Sequence, residues 1–203
     1  MLIDLSHKLV SNMPVYPGDS ILHVQQSAWV EKEGYAHFDL TIGVHAGTHM
    51  DGPAHMVAGG RKLCDFAPDR FITTAKILHK RDAQEITLLD VELLNLKPGD
   101  ALLVRTDFSS HFNDPEYFTS YPVLTEEAAH SLVEKGIGLL GIDWPSPDTD
   151  PFRVHKILLG AEVLIIENLT NLATLGDHTE CRLYALPMKV DADSAPVRVI
   201  AEI

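Results

Sequence analysis

Short runs of β-branched and apolar residues, broken by turn-forming residues, are the feature that most limits what this chain can fold into. Residues 73–78, 101–106, 139–143, 163–167, 182–190 and 197–203 have the length and composition of strands. Two more strands are predicted over 21–30 and 35–45, with Glu31-Lys32-Glu33-Gly34 as a hairpin connection between them. In the second of these, Phe38, Leu40, Ile42 and Val44 share a face read as the core face, which puts His45 on the opposite face at the strand end. Helices are fewer and short. They are expected over 88–96, ended by Lys97-Pro98-Gly99-Asp100; over 126–135, with Thr125 as N-cap, acids in the first turn and Gly136 beyond the end; and over 152–159. This pattern predicts a mixed α/β domain around a curved, mostly β core, with no strand order implied. No linker, repeat or like-charge block divides the 203 residues, so one domain spanning 1–203 is expected.

Composition narrows the function classes. At 45% hydrophobic and 22% charged, the chain has ordinary globular usage. Its formal net charge of −13 repels a phosphate backbone, so no nucleic-acid partner is expected. No stretch reaches the roughly 20 apolar residues of a membrane span, and the start lacks the basic and long apolar regions of a signal peptide. A cytoplasmic protein without a membrane partner is the expectation. Cys64 and Cys181 are the only cysteines, far apart and without a CxxC partner, so any metal must use nitrogen and oxygen ligands.

Chemistry concentrates in His45-Ala46-Gly47-Thr48-His49-Met50-Asp51-Gly52-Pro53-Ala54-His55. Two glycines and a proline make this a poor helix, so a strand end running into a tight loop is predicted. Such backbone lets imidazoles and a carboxylate converge, a ligand set suited to Zn, Mn or Fe(II). A second pair, His155 opening an apolar helix and Glu167 ending the run Val163-Leu164-Ile165-Ile166, adds a carboxylate whose burial calls for a partner or a metal. His7 reads as structural, His178 as a solvent-exposed loop residue and the two thiols as inert. Asp143 reads equally as a pocket residue or a turn-bonding one.

The stretch resembles the HxGTHxDxPxH signature of the cyclase-like metal-dependent hydrolases, which include bacterial kynurenine formamidases and isatin hydrolases. Agreement extends to Asp4-Leu5-Ser6-His7, Pro14-Val15-Tyr16-Pro17-Gly18-Asp19, Gly141-Ile142-Asp143, Glu167-Asn168-Leu169, Ala185-Leu186-Pro187-Met188-Lys189 and Ala195-Pro196-Val197-Arg198. The resemblance implies a swivelling β/β/α fold, a homo-oligomer (dimer or tetramer) and two divalent metal ions, Zn or else Mn. It also implies site roles. His45, His49 and Asp51 would hold the first metal, Asp51 would bridge to a second held by His155 and Glu167, His55 would donate and accept protons, and Tyr16 would contact substrate. Formamidases usually carry Trp at the position of Tyr16.

The implied activity is hydrolysis of a small amide C–N bond, in an aryl formamide such as N-formylkynurenine or in a cyclic amide such as isatin. Two other classes use the same residues. A non-haem Fe(II) oxygenase would need two histidines and one carboxylate, leaving His45 and Glu167 over, and a non-catalytic metal binder would need no proton carrier at His55.

Overall fold

The computed structural model describes all 203 residues. Its strands are β1 (Leu2–Asp4), β2 (His23–Ala28), β3 (His37–Thr41), β4 (His49–Asp51), β5 (Ile72–His79), β6 (Glu85–Ile86), β7 (Ala101–Arg105), β8 (Val123–Leu124), β9 (Leu139–Ile142), β10 (Leu164–Glu167), β11 (Glu180–Pro187) and β12 (Ser194–Glu202). The helices are α1 (Val30–Glu33), α2 (Leu88–Glu92), α3 (Glu126–Glu134) and α4 (Arg153–Gly160). The mixed α/β expectation with a curved, mostly β core holds. Strands run in the order β12-β11-β5-β7-β9-β10-β4, and β4 pairs back onto β12, so the sheet closes into a barrel of seven strands with β1 added beside the far end of β12.

Closure follows from the residues. β5, β7, β9 and β10 pair in parallel, and their central members are buried on both faces, as near-continuous apolar runs require. Alternate residues therefore feed two cores. Leu103, Leu139, Leu164, Ile166, Met50 and Val199 fill the barrel interior. Leu102, Val104, Leu140, Ile142 and Ile165 face outward under α3 and α4, where Leu132, Trp144 and Leu158 cover them. Gly141 leaves room for its interior neighbours, because a Cβ there would stand 2.6 Å from Leu103 Cδ2. Thr125 caps α3 as its sequence predicts, accepting the Ala128 N–H at 3.1 Å on its hydroxyl.

Two readings need correction. β3 is His37–Thr41, and its apolar residues face solvent rather than a core: Phe38 is 56% and Leu40 is 50% exposed. β3 pairs only with β2, as a two-stranded ribbon outside the barrel, with Val24 opposite Leu40 and Gln26 opposite Phe38. Alternation reports that a strand has an apolar face, not that the same chain covers it. The connection also differs, because Val30–Glu33 winds into the single helical turn α1, ended by Gly34 at φ 78°.

Candidate metal centre

β4 is three residues long and carries the heart of the site. Met50 points into the barrel interior, so the two-residue period turns His49 and Asp51 outward. On the neighbouring β10, Ile166 points inward and Glu167 outward, and the register sets Glu167 directly opposite His49. α4 packs on this outer surface through Val154, Leu158 and Leu159 and brings His155 over the two strands. His45 comes from the turn before β4. There Gly47 takes φ 64°, and a Cβ would meet Leu9 Cδ2 at 2.9 Å, so only glycine fits without strain.

These elements converge on Asp51. Its Oδ1 is 3.0 Å from His45 Nδ1 and 3.7 Å from His49 Nε2, while its Oδ2 is 4.0 Å from His155 Nε2. Glu167 completes the ring, with Oε2 3.3 Å from His49 Nε2 and Oε1 3.3 Å from His155 Nε2. Each imidazole commits its other nitrogen elsewhere. His49 Nδ1–H donates to Gly47 O at 2.9 Å, His155 Nδ1–H to Asp148 Oδ1 at 2.5 Å and His45 Nε2–H to Asp193 Oδ2 at 3.2 Å. Acceptors of this kind fix the tautomer of a ligating histidine and leave the inner lone pair for the ion. Asn168 braces the arrangement, donating to the same Gly47 carbonyl at 3.1 Å and accepting the Tyr117 hydroxyl at 2.9 Å.

The residues fit a divalent cation. Asp51 Oδ1 and Glu167 Oε1 are buried with no hydrogen-bond partner, although imidazole nitrogens stand 3.0 and 3.3 Å away without bonding alignment. Buried carboxylate oxygens left open in this way are costly unless a cation completes them. Burial alone would drive His45 and His155 towards neutrality. The carboxylates oppose it: Asp51 foremost raises His45 to about 9, and Asp148 with Glu167 raises His155 to about 10. His49 is raised against its own burial by Asp51 and Glu167. Burial would raise Asp51 as well, yet His49, His45 and His55 hold it well below the ordinary carboxylate range. Protons on the imidazoles thus balance the carboxylates until a metal displaces them.

His45, His49, Asp51, His55, His155, Glu167 and Tyr16 all line one pocket of about 180 Å³, so every site residue predicted from sequence comes to the same place. Phe118, Phe152, Met56 and Pro145 supply its apolar wall, and Tyr16 meets Phe118 edge-on at 5.8 Å. A larger cleft of about 520 Å³, bordered by Asp4, His7 and Arg198, contains none of the clustered ligands. Asp143 bonds a turn, accepting from Thr106 and Asp107 N–H groups and the Thr106 hydroxyl. Asp148, Asp193, Phe118 and Phe152 escape the sequence reading. Asp148 reaches the first turn of α4 from four residues before its N-cap, Phe152, outside the usual cap spacing, and nothing local marks the other three.

Fold and site together define a class, a closed mixed barrel bearing an outward-facing nitrogen and oxygen cluster for divalent metal. The Cyclase family model matches residues 3–149, and the chain belongs to that family. Kynurenine formamidases of Bacillus cereus and Bacillus cytotoxicus are similar to it at 34% and 31% identity, over 98% of this chain and 95% of theirs. Among solved structures, a "potential metal-dependent hydrolase with cyclase activity" has a TM-score of 0.84 at 27% identity, covering 99% of this chain and 96% of that one. Isatin hydrolase A of Labrenzia aggregata has a TM-score of 0.87 at 22% identity, covering 99% and 93%, which shows a shared fold.

Proposed function

We propose that this chain is a metal-dependent hydrolase of a small amide C–N bond, with an aryl formamide such as N-formylkynurenine as substrate. The observation that carries the reading is the pair of buried, unpartnered oxygens on Asp51 and Glu167 amid imidazoles whose outer N–H groups are already committed. His45, His49 and Asp51 would hold one ion, and His155 and Glu167 would hold a second, with Asp51 between them; zinc suits the set and manganese is the alternative. When bound, such ions supply Lewis-acid polarisation of a carbonyl and a nucleophile at neutral pH.

His55 does the proton work. Its Nδ1–H is bonded to Asp193 at 3.0 Å, so Nε2 is the free atom that takes a proton from the attacking water and returns it to the leaving nitrogen as the C–N bond breaks. Tyr16, Phe118 and Phe152 flank a flat aryl group and keep bulk water from it. An Fe(II) oxygenase would leave His45 and Glu167 idle, whereas both sit within the cluster. The barrel shared with isatin hydrolase A supports a cyclic amide such as isatin as a second reading.

We further propose one domain over 1–203, in a homo-oligomer whose interface includes the uncovered apolar side chains of the β2–β3 ribbon. The two thiols are free, which supports a cytoplasmic setting, and no helix is long and apolar enough to cross a membrane. Assaying N-formylkynurenine, isatin and simple aryl formamides with protein of measured metal content tests the proposal. Release of formate from the aryl formamides is the expected result. Turnover of isatin alone would move the substrate to the cyclic class, and turnover of none would remove the activity.

A further inference from the structure

We propose that Asp193 is the positioning residue that sets the tautomer of both His55 and His45, tying the proton carrier to the metal-ligand shell. This rests on the proposed role of His55 and goes beyond it, because Asp193 does not line the pocket and meets it through the two rings.

Barrel closure puts Asp193 where it is. β12 begins at Ser194, which lies opposite Asp51 in the β4–β12 seam, so Asp193 sits beside Gly52 at the end of β4. Gly52 N–H donates to Asp193 O at 2.9 Å, and Ser194 Oγ donates to Met50 O at 2.7 Å. The approach is close enough that a Cβ on Gly52 would stand 3.1 Å from the Asp193 carbonyl oxygen. A seam this tight fixes the backbone of Asp193 relative to the motif that carries the histidines.

The carboxylate then meets two rings at once. His55 Nδ1 is 3.0 Å and His45 Nε2 is 3.2 Å from the same oxygen, Oδ2, and the ring centroids are 4.4 Å apart. A carboxylate only accepts, so both nitrogens carry hydrogen. For His55 this leaves Nε2 as the atom offered to substrate, and for His45 it leaves Nδ1 for the side of Asp51. One oxygen therefore chooses the working atom of both imidazoles. Its removal would free His55 to turn or switch tautomer without removing any group that touches substrate.

The experiment combines kinetics with a readout that needs no turnover. In the zinc-loaded protein at pH 8, nitrogen-15 spectra of the imidazoles are expected to show His55 protonated at Nδ1 and bare at Nε2, with averaging of the two tautomers in Asp193→Ala. The same variant is expected to lose about 10- to 100-fold in kcat, the usual effect of losing an orienting partner, with KM within about twofold of wild type. Asp193→Asn keeps an oxygen in place and is expected to recover most of the loss. In a His55→Ala background at saturating zinc, Asp193→Ala is expected to cost far less than in wild type, because the part of its effect that passes through His55 is already lost and the part that passes through His45 is offset by excess metal. An equal loss in both backgrounds, or a wild-type His55 protonated at Nε2, would overturn the proposal. If Asp193→Ala does not fold, the wild-type spectrum and Asp193→Asn decide alone. A wild-type protein that hydrolyses no amide while His55 still follows Asp193 in the spectra would refute the proposed function and leave this inference standing.

Discussion

Asp148→Ala is expected to damage both the fold and the metal site, because one buried carboxylate serves both. Oδ2 accepts the Val154 N–H at 2.6 Å and the His155 N–H at 3.4 Å, satisfying the first turn of α4, and Oδ1 accepts His155 Nδ1–H at 2.5 Å. Losing a helix cap costs about 1 kcal/mol, and losing a hydrogen bond to a charged group costs about 2 kcal/mol more, so the metal-free protein should lose about 3 kcal/mol. At about 2–4 °C per kcal/mol for a chain of this size, its Tm should fall by about 6–12 °C. The imidazole of His155 also loses its orienting acceptor, for which a loss of about 10- to 100-fold in metal affinity is expected. Thermal melts in chelator and zinc competition against a chromophoric chelator measure the two effects separately. Asp148→Asn, with one acceptor oxygen instead of two, should fall between. A Tm and zinc affinity both unchanged in Asp148→Ala would refute the double role.

Asp51→Ala should empty both metal positions, and elemental analysis finding two metals per chain would end its bridging role. His55→Ala should keep its metals while losing about 100-fold or more in kcat, the range for a lost general acid or base; metal lost in step with activity would make His55 a ligand instead. Tyr16→Ala should cost about 0.5–1.5 kcal/mol of binding to aryl substrates, seen mainly in KM, with non-aryl formamides unaffected. An equal loss on both substrate types would take Tyr16 out of the site. Acid should weaken the fold through His7, whose ring stacks on Phe112 at 3.8 Å and whose burial lowers it to about 4. The unfolded chain binds this proton below about pH 6.5 and the folded one does not, so stability falls as pH drops from about 6.5 to about 4. Denaturant melts at pH 7 and pH 5 should differ by about 1–2 kcal/mol more in wild type than in His7→Phe, allowing for partial exposure of the ring.

What the sequence showed of this molecule depended on how local the cause was. β7, β9 and β10 were legible because strands buried on both faces must be apolar throughout. The ligands between His45 and His55 were legible because imidazoles and a carboxylate crowd one short stretch, although that stretch holds the strand β4 where a loop was predicted, and Glu167 because a carboxylate ending an apolar run needs a reason to be there. Asp193 was not, because its meaning comes from the β4–β12 seam, which joins residues more than a hundred positions apart. β4 itself carries His and Asp between glycines and has no strand signal, so barrel closure could not be read in advance. Phe38 and Leu40 misled for the opposite reason, their apolar face being real and uncovered.

The central claim is that the cluster around Asp51 and Glu167 holds divalent metal that amide hydrolysis requires. Its most direct test is to strip the purified protein with a chelator, confirm the loss by elemental analysis, and titrate zinc or manganese back while following hydrolysis of N-formylkynurenine. Activity should disappear with the metal and return in proportion to metal bound, reaching its plateau at two ions per chain. Full activity in the stripped protein, or no return of activity with the cluster refilled, would contradict it.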